Sequence, residues 1–246
     1  MVNSSLAAEW DRAAGVAVGA SYSDNICLDP GEEKAKEVLT AAPDVRLTGV
    51  GANASMDLLA ALEFNSLADS SLDCNIVGTS KKSPSPRLRF SANSELIDQW
   101  FFFDASAYID QNKADPFLTG GEDNLNGTGN TNTTYRYSLN PYISRRLTET
   151  SSVVLSYTFD EQINSEELVG DSQSDTVYFD VGTSPSLARW SFGLTGNYNE
   201  VRYEERRGGR PAYDSELSSA QARTSFQINS TWQVNGYAGL ERNDFV

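Results

Sequence analysis

No histidine occurs anywhere in this sequence. Ser–His nucleophilic pairs, Asp–His water activation and Cys–His thiolates all need an imidazole that titrates near neutrality, so those chemistries are excluded. Carboxylate-only catalysis survives that test, because Asp and Glu together number 34, but no spacing singles out a pair. The chain therefore reads as a non-enzyme, with no catalytic and no cofactor-binding residues. Basic residues are scarce as well. Only 19 Lys and Arg stand against those acids, and a net charge of -15 argues against a nucleic-acid groove. Two cysteines, Cys27 and Cys74, are too few for a disulfide-scaffolded small domain and have no metal-ligand spacing. No apolar run approaches the roughly 20 residues of a spanning helix, and the mean hydropathy is -0.43, which excludes a helical membrane protein. A membrane barrel passes the same test, since its strands are apolar on one face only and average out as hydrophilic.

Helix-forming stretches are also rare; the best, Gly31–Leu39 (GEEKAKEVL), is short. The run Glu122–Gly127 (EDNLNG) looks like the start of a calcium loop but lacks the alternating acidic register and the terminal Glu, so no dedicated metal site is expected. Asn53, Asn126, Asn132 and Asn229 each head an Asn-x-Ser/Thr triplet, as chance provides in so Asn- and Thr-rich a chain.

What the sequence does hold is period-two alternation, the mark of strands with one apolar face. It is clearest at Arg87–Leu96, where Leu88, Phe90, Ala92 and Leu96 face away from Arg87, Arg89, Ser91, Asn93 and Glu95. Phe101–Asp110 repeats it, with Phe101, Phe103, Ala105, Ala107 and Ile109 on one side. The same template fits Val16–Tyr22, Val45–Thr48, Met56–Asn65, Tyr135–Ser144, Ser152–Asp160, Val177–Gly182, Trp190–Asn199, Ala220–Asn229 and Trp232–Glu241, which makes eleven segments. Most are about the 9–11 residues that a tilted strand needs to cross a bilayer.

The connections alternate in length. Short turns are expected near 51–54, 97–99, 145–150, 183–188 and 228–231, and long polar loops at 24–42, 66–84, 112–133, 161–175 and 200–216. Short turns on one side and long loops on the other are the habit of outer-membrane barrels, whereas a soluble sandwich mixes loop lengths and uses Greek-key crossovers. Trp10, Trp100, Trp190 and Trp232 each fall at or just before the start of an outgoing strand. A buried tryptophan in a sandwich core is the ordinary alternative, but four at one topological position predict an interfacial girdle on the turn side.

The fold expected is thus an all-β, antiparallel up-and-down transmembrane β-barrel. Residues 1–13 form an N-terminal periplasmic segment and residues 14–246 the barrel domain. In a barrel the polar faces line the lumen, which places Asp57, Glu63, Arg87, Arg89, Glu95, Asp104, Asp110, Arg136, Asp160, Asp180, Arg223 and Glu241 inside. Around the Asp98 turn an approximate register sets Arg87 near Asp110 and Asn93 near Asp104. Mixed signs on neighbouring strands suggest paired charges that hold a narrow or filled lumen; the alternative is an open pore whose Arg and Asp rings select solutes. Cys27 and Cys74 fall in the first and second long loops, which leave the same end of a barrel, so a disulfide between them is geometrically allowed and the periplasm permits it. Free or interfacial thiols are the alternative.

Several stretches carry a resemblance: ASYSDNICL (Ala20–Leu28), APDVRLTGVGANASMDL (Ala42–Leu58), SANSELIDQWFFFDASAYIDQ (Ser91–Gln111), YSLNPYISRRL (Tyr137–Leu147), VLSYTFDEQ (Val154–Gln162) and YAGLERNDFV (Tyr237–Val246). From about Trp10 to the end, the pattern resembles the bacterial outer-membrane barrels associated with PEP-CTERM/exosortase systems, of the β-barrel porin type encoded near exopolysaccharide genes. The resemblance implies a Gram-negative outer-membrane barrel that accompanies polysaccharide or surface-protein export, with outer-membrane lipid and polysaccharide or export-machinery proteins as partners. It carries no reaction and no catalytic residues. The N-terminus lacks a charged n-region and an apolar h-region, and the odd strand number departs from the even counts of single-chain bacterial barrels. Hence a removed or omitted export signal and at least one further strand, for a total of 12 or more, are expected. A general diffusion porin and a soluble secreted β-rich binding or adhesion module are the other readings.

Overall fold

The structure is a computed structural model, and it describes residues 8–27, 35–66, 84–113, 131–166, 169–183, 189–204 and 213–245. Its elements are β1 (Glu9–Ser23), β2 (Lys36–Val50), β3 (Ala54–Asn65), β4 (Ser85–Ile97), β5 (Phe101–Asn112), β6 (Asn132–Arg146), β7 (Ser151–Asn164), β8 (Ser172–Thr183), β9 (Trp190–Tyr203), β10 (Ser215–Gln227) and β11 (Gln233–Phe245). They form one antiparallel 11-stranded sheet in which every strand pairs with its neighbour in sequence, so β1 and β11 are its edges. Among the described residues there is no helix, and none long and apolar enough to cross a membrane. That statement does not bear on strands. By their contacts the residues divide into two compact units, Met1–Ser91 with Ser106–Arg136 and Gln162–Gly170, and Ala92–Ala105 with Tyr137–Glu161 and Asp171–Val246.

All eleven alternating segments fall on strands, which run from 12 residues in β3 to 15 in β1, although Ile228, Asn229 and Trp232 lie in the turn between β10 and β11. β1 opens at Glu9 and takes in residues assigned above to the N-terminal segment. The loop expected at 24–42 ends at 35, because Lys36–Leu39, the tail of the one helix-favouring stretch, opens β2. Pro43 hid this half of the strand, as proline offers no N–H to a ladder. Its position explains the tolerance: the β2–β3 register runs to Ala41↔Phe64 and resumes at Asp44↔Ala61, leaving Pro43 out. The loops expected at 161–175 and 200–216 shrink likewise, since β7 continues to Asn164, β8 begins at Ser172 and β9 continues to Tyr203. The connection 165–171 is hardly longer than 184–189 at the other end, which softens the alternation of lengths at that point.

The short connections bond to themselves. Trp100 N–H donates to Ile97 O at 2.9 Å across a two-residue turn whose Gln99 adopts φ 55°. The Glu95 carboxylate accepts the Gln99 N–H. At 147–150 the Thr148 hydroxyl accepts Ser151 N–H at 3.1 Å, and at 228–232 the Asn229 side chain accepts both Thr231 and Trp232 N–H at 2.9 Å. These are the local side-chain turns that Asn and Thr favour.

In the first unit, Trp10, Ala14, Val16 and Val18 of β1 lie opposite Gly49, Val45, Pro43 and Ala41 of β2, and Val45 and Leu47 lie opposite Ala60 and Leu58 of β3. Residues directly opposite share a face, so these make one apolar face. In the second unit Val181, Leu194 and Ala222 are aligned, as are Phe179, Gly196 and Ala220, and Leu240 continues the second row. Glycines seat aromatic rings here: Trp10 covers Gly49 and Phe179 covers Gly196. Among the described residues no core covers these faces. The buried apolar residues among those described are Ile26, Cys27 and Val38, whereas Val18 is 81% exposed and Leu240 83%.

Candidate functional site

The opposite, polar face carries the charged side chains expected to line a lumen. In the second unit β8, β9 and β10 bring Gly182 opposite Gly193 and Gly193 opposite Arg223, with Asp180 opposite Thr195 one step along. The two glycines clear a path. A Cβ at Gly193 would stand 2.5 Å from Arg223 Nε, so the arginine lies flat across β9 and reaches β8. Its guanidinium grips Asp180 with both arms, Nη1 to Oδ2 at 2.5 Å and Nη2 to Oδ1 at 2.9 Å, and Nη1 also donates to Thr195 Oγ1 at 2.7 Å. The Thr195 hydroxyl donates to Asp180 Oδ2 at 2.9 Å. This is a two-armed, charge-assisted arrangement with fixed geometry. Glu241 of β11 shares the face, opposite Ser219.

In the first unit Asp57 accepts the Thr48 hydroxyl across the β2–β3 ladder at 2.9 Å. Arg87 of β4 meets Glu63 of β3 at 3.9 Å, a loose pair. Arg89 rests over the Tyr108 ring, 5.7 Å from its centroid, and the Tyr108 hydroxyl donates to Asp110 at 3.0 Å. Arg136 donates to Gln162 Oε1 at 2.8 Å. At the long-connection end of β5, β6 and β7 lies a neutral network. Asn132, 2% exposed, donates to Thr134 Oγ1 at 3.1 Å and Asn164 Oδ1 at 2.9 Å; its own Oδ1 accepts Glu166 N–H at 3.2 Å. Thr134 donates to Asn164 at 3.0 Å. A satisfied buried amide–hydroxyl network fixes strand ends without charge.

Of the residues expected to line a lumen, Asp180 and Arg223 are brought into direct contact, and so are Glu63 and Arg87. Asp104 lies on β5 and Asp160 on β7, and Glu95 serves its own turn. Arg87 takes Glu63, on the strand before it, as its ion-pair partner, while Asp110 is engaged by Tyr108. Reading charges alone passed over Thr195, Tyr108 and Gln162, the uncharged partners, and assigned Gln162 and Asn164 to a loop. Alternation continuing past the apolar residues was the signal that could have found them.

The apolar face has two different rims in the second unit. At the short-connection end Trp190 packs on Phe226, with centroids 4.4 Å apart, and stacks with Phe192 at 6.0 Å. At the other end the register sets Asp175 opposite Glu200 and Glu200 opposite Glu216. Arg202 bonds Asp175 there and reaches Glu200 at 3.2 Å, Arg242 pairs with Asp244 at 2.5 Å, and the Tyr157 hydroxyl bonds Asp175. Trp10, Trp100, Trp190 and Trp232 all sit at the short-connection ends of their strands, about half exposed or more.

Cys27 is disulfide-bonded and buried; Cys74, its expected partner, lies outside the described residues, as does the acidic run 122–127. Among the described residues no group of acidic, His or Cys side chains could hold a metal ion. No protein-family model matches the chain, and no curated protein matches it.

Proposed function

We propose that the chain is a non-enzymatic β-barrel of the Gram-negative outer membrane, serving export of an exopolysaccharide or surface polymer as an accessory or a pore. One observation carries the membrane part: an uncovered apolar face bounded by tryptophans at one rim and by tyrosine and ion pairs at the other. Full burial of a Val, Leu or Phe side chain is worth roughly 1.5–3 kcal/mol, and a water-facing sheet forfeits that at each of these positions. From Trp190 to Tyr198 the apolar stretch of β9 runs about 27 Å at about 3.4 Å per residue, or about 21 Å along the normal for a strand tilted by about 40°, close to the roughly 25 Å apolar band of such barrels. The resemblance to exosortase-associated barrels supports the export role.

The polar-face pairs favour a structurally braced interior over a wide diffusion pore, because Arg223, Asp180, Arg87 and Glu63 spend their charges on one another. The test has two arms. Folded protein should migrate differently in gels with and without heating and should fractionate with outer membrane; migration and solubility unchanged by heating would instead indicate a soluble binding module. Conductance across a planar bilayer then separates a pore from an accessory, and absence of current counts against both an export pore and a diffusion porin.

A further inference from the structure

The arginines on the apolar face are treated differently at its two rims. At the long-connection rim Arg202 and Arg242 are each matched to carboxylates. At the short-connection rim Arg145 lies over the Trp100 ring, 5.2 Å from its centroid, and Arg189 lies over Phe226 at the same distance. Among the described residues their hydrogen bonds are long ones to backbone oxygens, Arg145 to Gln99 O at 3.5 Å and Arg189 to Gln227 O at 3.4 Å. Asp98 and Glu149 occupy nearby turns, yet among the described residues no carboxylate pairs with either arginine. Among the described residues these two cations are left uncompensated, in a chain with 34 acidic residues.

A guanidinium stacked on an aromatic ring holds its plane fixed and keeps its edge N–H groups free, the geometry that suits a phosphate. Both sit beside tryptophan at the rim of an apolar band, the depth at which lipid headgroups lie. We infer that Arg145 on Trp100 and Arg189 on Phe226 are two seats for the phosphate of anionic phospholipid in the leaflet at the short-turn side. The inference rests on the membrane reading and adds the lipid chemistry and the leaflet to it.

The full chain is folded into phosphatidylcholine vesicles with and without phosphatidylglycerol, and the urea midpoint is followed by tryptophan emission. Wild-type protein should gain stability from phosphatidylglycerol, and the gain should shrink in high salt. In R145Q/R189Q the gain should fall by roughly fivefold in the folding equilibrium for each arginine removed, while R145K/R189K keeps only part of it, since an ammonium carries the charge without the planar fork. An equal gain in wild type and the glutamine variant, or none in wild type, overturns the assignment. Should the glutamine variant fail to fold in either vesicle, the lysine variant and the salt response of the wild type decide by the same criteria. Failure of the wild type to enter any vesicle would instead overturn the membrane reading.

Discussion

Arg223 crosses β9 to reach Asp180 because no side chain stands at Gly193 to stop it. The contact depends as much on the missing Cβ as on the two charges. Its value is modest, since the arginine side chain is 38% exposed and the aspartate 17%, and water weakens such pairs. A double-mutant cycle of D180N and R223Q, read by unfolding in vesicles, is expected to return a coupling of about 1 kcal/mol, with the two-armed geometry keeping it above the surface-pair median. G193A should destabilise on its own and add little once Arg223 is gone. Additive effects of G193A and R223Q would separate the glycine from the ion pair. Gly49 under Trp10 and Gly196 under Phe179 obey the same logic on the apolar face.

At the scale of elements, the turn between β4 and β5 holds Gln99 at φ 55°, a region that costs a non-glycine residue roughly 1–2 kcal/mol. Q99G should therefore be neutral to stabilising by up to about 1 kcal/mol, the gain being trimmed by the greater freedom of glycine in the unfolded chain; Q99V should destabilise. A urea series on the two variants checks the order. Strands of this kind were legible wherever apolar and polar residues alternated without interruption, as from Arg87 to Asn93. They were legible only in part where Pro43 broke the pattern, or where the apolar face turned polar beyond its band, as at Glu161, Asp175 and Glu200. Periodicity reports a difference between faces, so it fades where that difference ends even though the ladder goes on. The candidate site was legible as a face and not as contacts, because Thr195 and Tyr108 differ from their polar neighbours only by the register of the strands beside them.

For the whole molecule, the membrane reading makes the two faces unequal in what they tolerate. L194R, in the middle of the apolar face, should cost about 2–4 kcal/mol in vesicles, as charges near the bilayer midplane of barrels do, whereas Q221R on the polar face should cost far less. Similar losses at both positions would count against lipid as the cover. The strand order has a consequence of another kind. Because every strand pairs with its sequence neighbours, a hairpin is the unit by which such a chain can change size. Removing or duplicating two consecutive strands leaves the direction and the facing of all the others intact, whereas a single strand inverts everything beyond it. Insertions and losses that survive in the genes of such proteins are thus expected to come in hairpin lengths, with their boundaries in the connections rather than in the ladders.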